Sequence, residues 1–482
     1  MHSVSVNVPE VITKELQMAR VAGRRKIRLS SNWLPLVGFE AGVRHDVSPI
    51  AGHQGLRLTF SPEGRQKVYL RRYSRRKNNP LETVVEIGSQ SLLDAGIPGY
   101  SERLHFTLRH GEIIIRPLPN HTFSIRHRLR AESNPFAAMV AMTSGIDVRC
   151  LMDSGFHIDS VLEYRPHEAR DKNDLTETGA LNVLANARPR ILMNEDISRV
   201  DWDTVRGLMA GGPQIAVLHV SLQCDDFSTA KGANIRRQAV EDLSTTRDLA
   251  YDALRMVETI RPACIVLENV PGFAMSAEGT LFKLKLRRWG YEVTDAVLMA
   301  GQHDGLTRRE RYYLVASVFP GFAMPEPGSM RSEAVWPEIE PFLTGCRDVS
   351  HTKSLKDGIE SGRARLISRD SLIAPTLLKS QARQAKDSIY IDAGDGRYLL
   401  PSLDLLRHLN GIPSDVDLRS TSAELASEII GQSIDYPMHE QVVQALHAHI
   451  AANVGRHTVV AMTPRPLSPA LLLPNNHEGL AC

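Results

Sequence analysis

Seven short apolar runs between residues 137 and 318 restrict this chain more than any other feature. They cover 137–142, 159–163, 191–193, 215–221, 264–267, 293–299 and 312–318. Each suits a strand and is too short for a helix, and unbroken apolar character marks a strand buried on both faces. Helical stretches at 247–260 and 280–289 fall between the later runs. Strands alternating with helices predict an α/β fold with a doubly wound, mostly parallel, Rossmann-like sheet.

Two runs end in reactive groups. Val217-Leu-His-Val-Ser-Leu-Gln-Cys224 delivers a thiol, and Cys264-Ile-Val-Leu-Glu-Asn269 delivers a carboxylate beside an amide. Open α/β sheets bind ligands beyond the carboxyl ends of their strands. A nucleophile and an acid meeting there are the minimum for covalent chemistry on an electron-poor ring. A lone strand-end cysteine is commonly structural; the Phe227-Ser228 that follows and the Glu268-Asn269-Val270 partner weigh against that here.

Together with later segments these runs resemble the cytosine-C5 DNA methyltransferases. Glu268-Asn269-Val270 matches the family's carboxylate motif, and Arg309 and Arg311 match its Gln-x-Arg-x-Arg motif. Leu405 to Pro413 looks like the segment ending in Gly-Phe-Pro, and Gly431-Gln432-Ser433-Ile434 looks like the Gly-Asn-x-Val segment. The resemblance spans about 134–455 with the motifs in family order. It implies that Cys224 attacks the base, Glu268 contacts N3, and Arg309 and Arg311 hold the cysteine loop and the base or its phosphate. It further implies S-adenosylmethionine as methyl donor, with no metal. Gly145, Glu163, Asp196, Ser221, Gly431 and Gln432 would bind it, Glu163 on the ribose and Asp196 near the adenine. The implied partner is double-stranded DNA with a flipped cytosine, because neither reacting atom is reachable in a stacked duplex.

The departures from the pattern are specific. The family's Pro-Cys-Gln reads Gln223-Cys224-Asp225, and an adjacent carboxylate raises a thiol pKa by like-charge repulsion. The glycine-rich turn reads Val140-Ala-Met-Thr-Ser-Gly-Ile-Asp147 and keeps one glycine of three, Gly145. Two alternatives therefore stay open: a catalytically impaired DNA-binding protein that keeps the fold, and an RNA cytosine methyltransferase.

Upstream lies an internal repeat. Lys26–Leu29, a short helix within 33–42, Val43–Ile50, a turn at 52–55 and Leu56–Phe60 are echoed by Thr83–Ile87, Leu92–Ile97, Leu104–Leu108, a turn at 110–111 and Glu112–Arg116. Strand, helix, strand, turn, strand in each unit resembles the SymE-type and AbrB-type swapped-hairpin domains. One unit alone buries too little to stand, so the two are expected to form one small β-barrel over 25–118. Between them, Arg65 to Lys77 holds seven basic residues, two tyrosines and no acid. That composition suits phosphate contacts by Arg71, Arg72, Arg75 and Arg76. The charge is lopsided to match: residues 1–130 carry 21 Lys and Arg against 10 Asp and Glu, and the remainder carries 36 against 45.

The remaining expectations are a flexible arm at 1–24, a linker at 119–134 and a catalytic domain at 135–320. A short target-recognition region at 321–400 shows little periodicity, 401–455 returns to the catalytic domain, and 456–482 is a disordered tail. Five cysteines without a Cys-x-x-Cys pair argue against a zinc site or a disulfide framework. No apolar run approaches the roughly 20 residues of a membrane helix. A cytoplasmic monomer is expected.

Overall fold

The computed structural model describes residues 7–75, 80–167, 171, 173–228, 232–419 and 421–455. The chain divides into two units, one ending at Ser124 and one beginning at Ile125.

In the second unit the apolar runs become one seven-stranded sheet. Its strands are β1 (Ala137–Ala141), β2 (His157–Leu162), β3 (Ile191–Met193), β4 (Val217–Ser221), β5 (Cys264–Asn269), β6 (Glu292–Met299) and β7 (Glu310–Ser317). They lie in the order β3-β2-β1-β4-β5-β7-β6. Neighbours from β3 through β5 pair in parallel, and β7 runs antiparallel to both β5 and β6. The expected α/β class with a mostly parallel sheet is what forms. Every residue of β1 and β5 is buried, which is why these runs carry no polar alternation. Because β1 lies between β2 and β4, the chain leaves β1 toward one side of the sheet and later returns on the other. That arrangement opens a crevice at the carboxyl ends of β1 and β4.

Helices α1 (Ile146–Asp153), α2 (Thr178–Asn186), α3 (Leu249–Ile260), α4 (Ala277–Arg288), α5 (Ala423–Gln432) and α6 (Tyr436–Val454) flank or follow the sheet. Some of their starts are marked by side chains that satisfy first-turn amides: Ser276 accepts from Gly279, Ser422 from Leu425 and Asp435 from Met438. The stretch from 321 to 400, which lacked a readable period, contains a mixed four-stranded sheet. Its order is Arg347–Asp348, Arg397–Leu400, Ile389–Gly394 and Arg365–Ile367. Strands of two to six residues are too short to show a period. Val335, Trp336, Ile389 and Ile391 from this region share a core with Leu405, Leu409 and Ile430.

The first unit carries the repeat as two sheets around one core that includes Ile27, Phe39, Leu58, Val85, Phe106 and Ile113. Equivalent strands of the two repeats pair with each other: Arg24–Ser30 with Leu81–Ile87, and Leu56–Phe60 with Glu112–Pro117, all antiparallel.

Three expectations about irregular segments are corrected. Inside the expected flexible arm, Ile12–Gln17 pairs over its full length with Arg103–Arg109, seating Ile12 in the core. Inside the expected linker, His121–Ala131 is a helix whose Ile125 and Leu129 are buried; Asn120 caps it by accepting from the Phe123 amide. Within the basic run, Tyr69–Arg72 is a strand paired with Leu81–Ile87, so Arg71 stands opposite Glu82 and Arg72 opposite Leu81. Arg71 and Arg72 therefore belong to a sheet rather than to a connection. Arg75 is exposed in the following turn, and Arg76 and the tail at 456–482 lie outside the described residues.

Candidate active site

The carboxyl ends of β1 to β5 and the segment preceding α6 enclose an open cleft of about 1360 Å³, its mouth included. Glu163, Asp196, Ser221, Cys224, Glu268, Arg311 and Gln432 all line it.

The β4–β5 register sets the chemistry. Ser221 stands opposite Glu268, and its hydroxyl donates to Glu268 Oε2 at 2.7 Å. Glu268 in turn stands opposite Tyr313 on β7. Arg311, two residues back on the same face of β7, lies diagonally across from the carboxylate. Its Nε sits 2.8 Å from Glu268 Oε1 with both side chains largely buried. The contact is an ion pair out of hydrogen-bonding line, and among the described residues Oε1 accepts no hydrogen bond. Both oxygens are thus held, Oε2 by the Ser221 hydroxyl and Oε1 by the charge of Arg311.

Cys224 opens a tight turn in which its carbonyl accepts from the amides of Phe227 and Ser228 at 3.0 and 2.9 Å. Asn269, at the end of β5, donates to the Leu222 carbonyl and ties the two strand ends together. Phe227 packs edge-on against Phe273. A Cβ at Gly272 would lie 2.1 Å from the Phe227 carbonyl oxygen, so the segment after Glu268 closes on the cysteine turn only because that residue is glycine. Burial pushes the Cys224 thiol up, Arg311 opposes the rise, and Asp225 and Glu268 reinforce it. The direction anticipated from Asp225 is correct, but burial is the larger cause.

At the other end of the cleft Glu163 accepts from the amides of Thr143 and Ser144 at 2.8 and 2.9 Å. Burial raises its carboxyl to about 7 against those two hydrogen bonds. A Cβ at Gly179 would come within 2.6 Å of its Oε1, so the first turn of α2 makes room for this acid. The turn it holds has left-handed backbone at Met142 (φ 66°), Ser144 (φ 57°) and Gly145 (φ 98°). Geometry that glycine adopts freely is kept here by two residues that adopt it at a cost. Asp196 spends Oδ1 on the amide and hydroxyl of Ser198.

Three expected site residues stand behind the cleft wall. Arg309 is fully buried, and its two terminal nitrogens donate to the carbonyls of Leu377, Gly431, Gln432 and Ser433. Burial and Arg311 lower its pKa to about 9, which leaves it charged at neutral pH. It holds the segment beside Gln432, not the cysteine loop; Arg309 precedes β7, and the backbone it meets comes from distant segments that sequence cannot place. Gly431 is needed for packing, since a Cβ there would lie 2.4 Å from the Leu378 carbonyl. Gly145 backs onto Asn182 and Val183 at 3.2 Å.

A polar cluster gave almost no sign of itself in the sequence. Asp147 in α1 lines the cleft, and its Oδ2 lies 3.8 Å from Nδ1 of the buried His219 on β4. His219 meets His439 of α6 edge-on at 4.8 Å, and His439 Nδ1 lies 3.1 Å from the Tyr313 hydroxyl. Burial lowers His219 to about 3, so it is neutral. The sole signal was a histidine inside an otherwise apolar strand, which marks a buried polar group without naming its partner.

Residues 177–318 match the family model for C-5 cytosine-specific DNA methylases. The type II methyltransferase M.MspI of Moraxella sp is 24% identical over 259 residues, covering 52% of this chain. The chain spans 59% of the length of that relative. Among solved structures, S. pombe Dnmt2 methyltransferase aligns at 15% identity over 65% of this chain and 98% of its own, with a TM-score of 0.49. Entamoeba histolytica EhMeth aligns at 14% over 65% and 98%, also with a TM-score of 0.49. Through residues 177–318 the chain is similar to the C-5 cytosine-specific DNA methylases.

Proposed function

We propose that this protein methylates C5 of a cytosine flipped out of double-stranded DNA, with S-adenosylmethionine as donor and Cys224 as nucleophile. The observation that carries the reading is the convergence of Cys224, Glu268 and Arg311 in one cleft at the ends of neighbouring strands. The type II methyltransferase activity in the name of its Moraxella relative is in keeping with it.

The Cys224 thiolate adds to C6, forming an S–C6 bond, and the C5–C6 π pair becomes available at C5. Glu268, which lines the cleft, assists by holding a proton at N3, with Ser221 fixing its Oε2 and Arg311 beside its Oε1. Arg311 steadies that carboxylate and favours the thiolate. When bound, the donor would supply an electrophilic methyl group to C5, its S–CH3 bond breaking to release S-adenosylhomocysteine. Loss of the C5 proton and expulsion of the thiolate then restore the ring. The residues fit such a donor: a buried acid at Glu163 suits a ribose hydroxyl pair, and Asp196 borders the same cleft.

The four-stranded sheet within 321–400 reads the target, and the first unit, a SymE/AbrB-like domain, contacts phosphates through Arg71, Arg72 and Arg75. The protein acts as a cytoplasmic monomer. Incubation with labelled S-adenosylmethionine and duplex DNA containing 5-fluorocytosine tests the reading. A covalent complex is expected, absent in Cys224→Ala. Adduct formation on RNA alone, or none with any substrate, would overturn it.

A further inference from the structure

The geometry points to Asp147 as the residue that takes the α-ammonium of the donor's amino-acid tail. This rests on the reading of the cleft as an S-adenosylmethionine site and adds a contact that the motifs do not assign.

Asp147 is 2% exposed and lines the cleft. Among the described residues its Oδ1 has no hydrogen-bond partner. A buried carboxylate without a partner costs several kcal/mol, on the order of a full desolvation penalty, unless a cation or donor group offsets it. The basic groups around it are engaged elsewhere. His219, at 3.8 Å, is held neutral by burial. Arg309 spends both terminal nitrogens on four backbone carbonyls. Arg311 is engaged by Glu268 and by the Glu310 carbonyl. The neighbouring charges that Asp147 feels most are the carboxylates of Glu268 and Glu163, and burial holds its pKa well above the usual range. Asp147, Glu163 and Glu268 therefore face one cleft while the arginines beside Asp147 are committed to other partners, and a cation brought by the ligand would restore Asp147 to its charged form.

The choice of cation follows from position. The sulfonium must lie near C5, one bond from the carbon that Cys224 attacks. The charges that act most on Cys224 are those of Arg311, Asp225, Glu268 and Arg309. Asp147 sits instead in the first turn of α1, directly after the turn that Glu163 holds. With the ribose at Glu163 and the sulfonium toward Cys224, the remaining cationic group is the ammonium of the tail.

Calorimetry on the full-length protein separates the possibilities, using S-adenosylhomocysteine, its deaminated analogue and methylthioadenosine, which lacks the tail. Wild type should prefer S-adenosylhomocysteine over the deaminated analogue by roughly 10- to 100-fold, the range of a hydrogen bond to a charged group. Asp147→Asn should erase that preference and leave methylthioadenosine binding unchanged, which also shows that the variant is folded. An undiminished preference in Asp147→Asn overturns the proposal while the donor site stands. Equal loss of all three ligands overturns it too, because the role would then be structural. Wild type binding none of the three would sink the donor reading itself and this proposal with it.

Discussion

Replacing Arg309 with lysine separates architecture from chemistry at a residue whose motif suggests a catalytic part. The guanidinium serves two pairs of carbonyls, Leu377 with Gly431 and Gln432 with Ser433. A lysine ammonium keeps the charge but presents its donors from one point, so it can satisfy one pair. Two buried carbonyls then lose their partner at about 1–3 kcal/mol each, partly relieved by relaxation, for a net loss of about 2–4 kcal/mol. In a unit of this size 1 kcal/mol moves the melting temperature by about 2 °C, so a drop of about 4–8 °C is expected. Gln432 and Ser433 line the cleft, so affinity for S-adenosylhomocysteine should fall as well. The adduct rate at saturating donor should stay within a few fold of wild type, because Arg309 does not reach the cleft. A variant with unchanged melting and ligand affinity that no longer forms the Cys224 adduct would refute this placement.

Three further outcomes are expected. Glu268→Gln should lower turnover by about 10²–10⁴-fold with little change in donor affinity; full turnover would reduce Glu268 to a structural carboxylate. Since burial raises the Cys224 thiol, only its thiolate minority reacts at neutral pH, and the adduct rate should climb about tenfold per pH unit until the thiol has ionised. Arg311→Gln, by removing the cation that favours the thiolate, should move that rise to higher pH, and a flat profile in both proteins would exclude thiolate attack as the slow step. In the full-length protein, Arg72→Gln with Arg75→Gln should flatten the salt dependence of duplex binding, by about 0.9 in log–log slope for each phosphate no longer neutralised. An unchanged slope would show that these side chains are merely solvated.

The strands of the catalytic sheet were legible because burial on both faces leaves an unmistakable apolar run. That Cys224 and Glu268 would share one cleft was legible because both follow apolar runs at the carboxyl ends of neighbouring strands. What escaped depends on long-range geometry. Nothing local distinguishes Arg309 from Arg311, two residues apart, yet one meets four carbonyls from distant segments and the other a carboxylate. The turn at Met142 to Gly145 looked degraded because two glycines are missing. Its left-handed course survives because Glu163, from the end of the next strand, accepts two of its amides, and that support offsets strain of roughly 1–2 kcal/mol per residue. Ile12–Gln17 and Tyr69–Arg72 were missed for a related reason: each is a polar edge strand whose identity lies in its neighbour.

The pairing of the two repeats within the first unit has a bearing on symmetry. Separate copies of one hairpin unit, joined about a two-fold axis, must present identical faces, and the ligand they fit best shares that axis. Here like strands pair within a single chain, so each half has been free to diverge. The stretch after the third strand of the first repeat, 61–77, holds seven lysines and arginines, whereas the equivalent stretch of the second, 118–134, holds three. The pseudo-dimer is thus more basic on one half than on the other. A surface of that kind can follow one backbone in one direction, and what it binds need not be a palindrome.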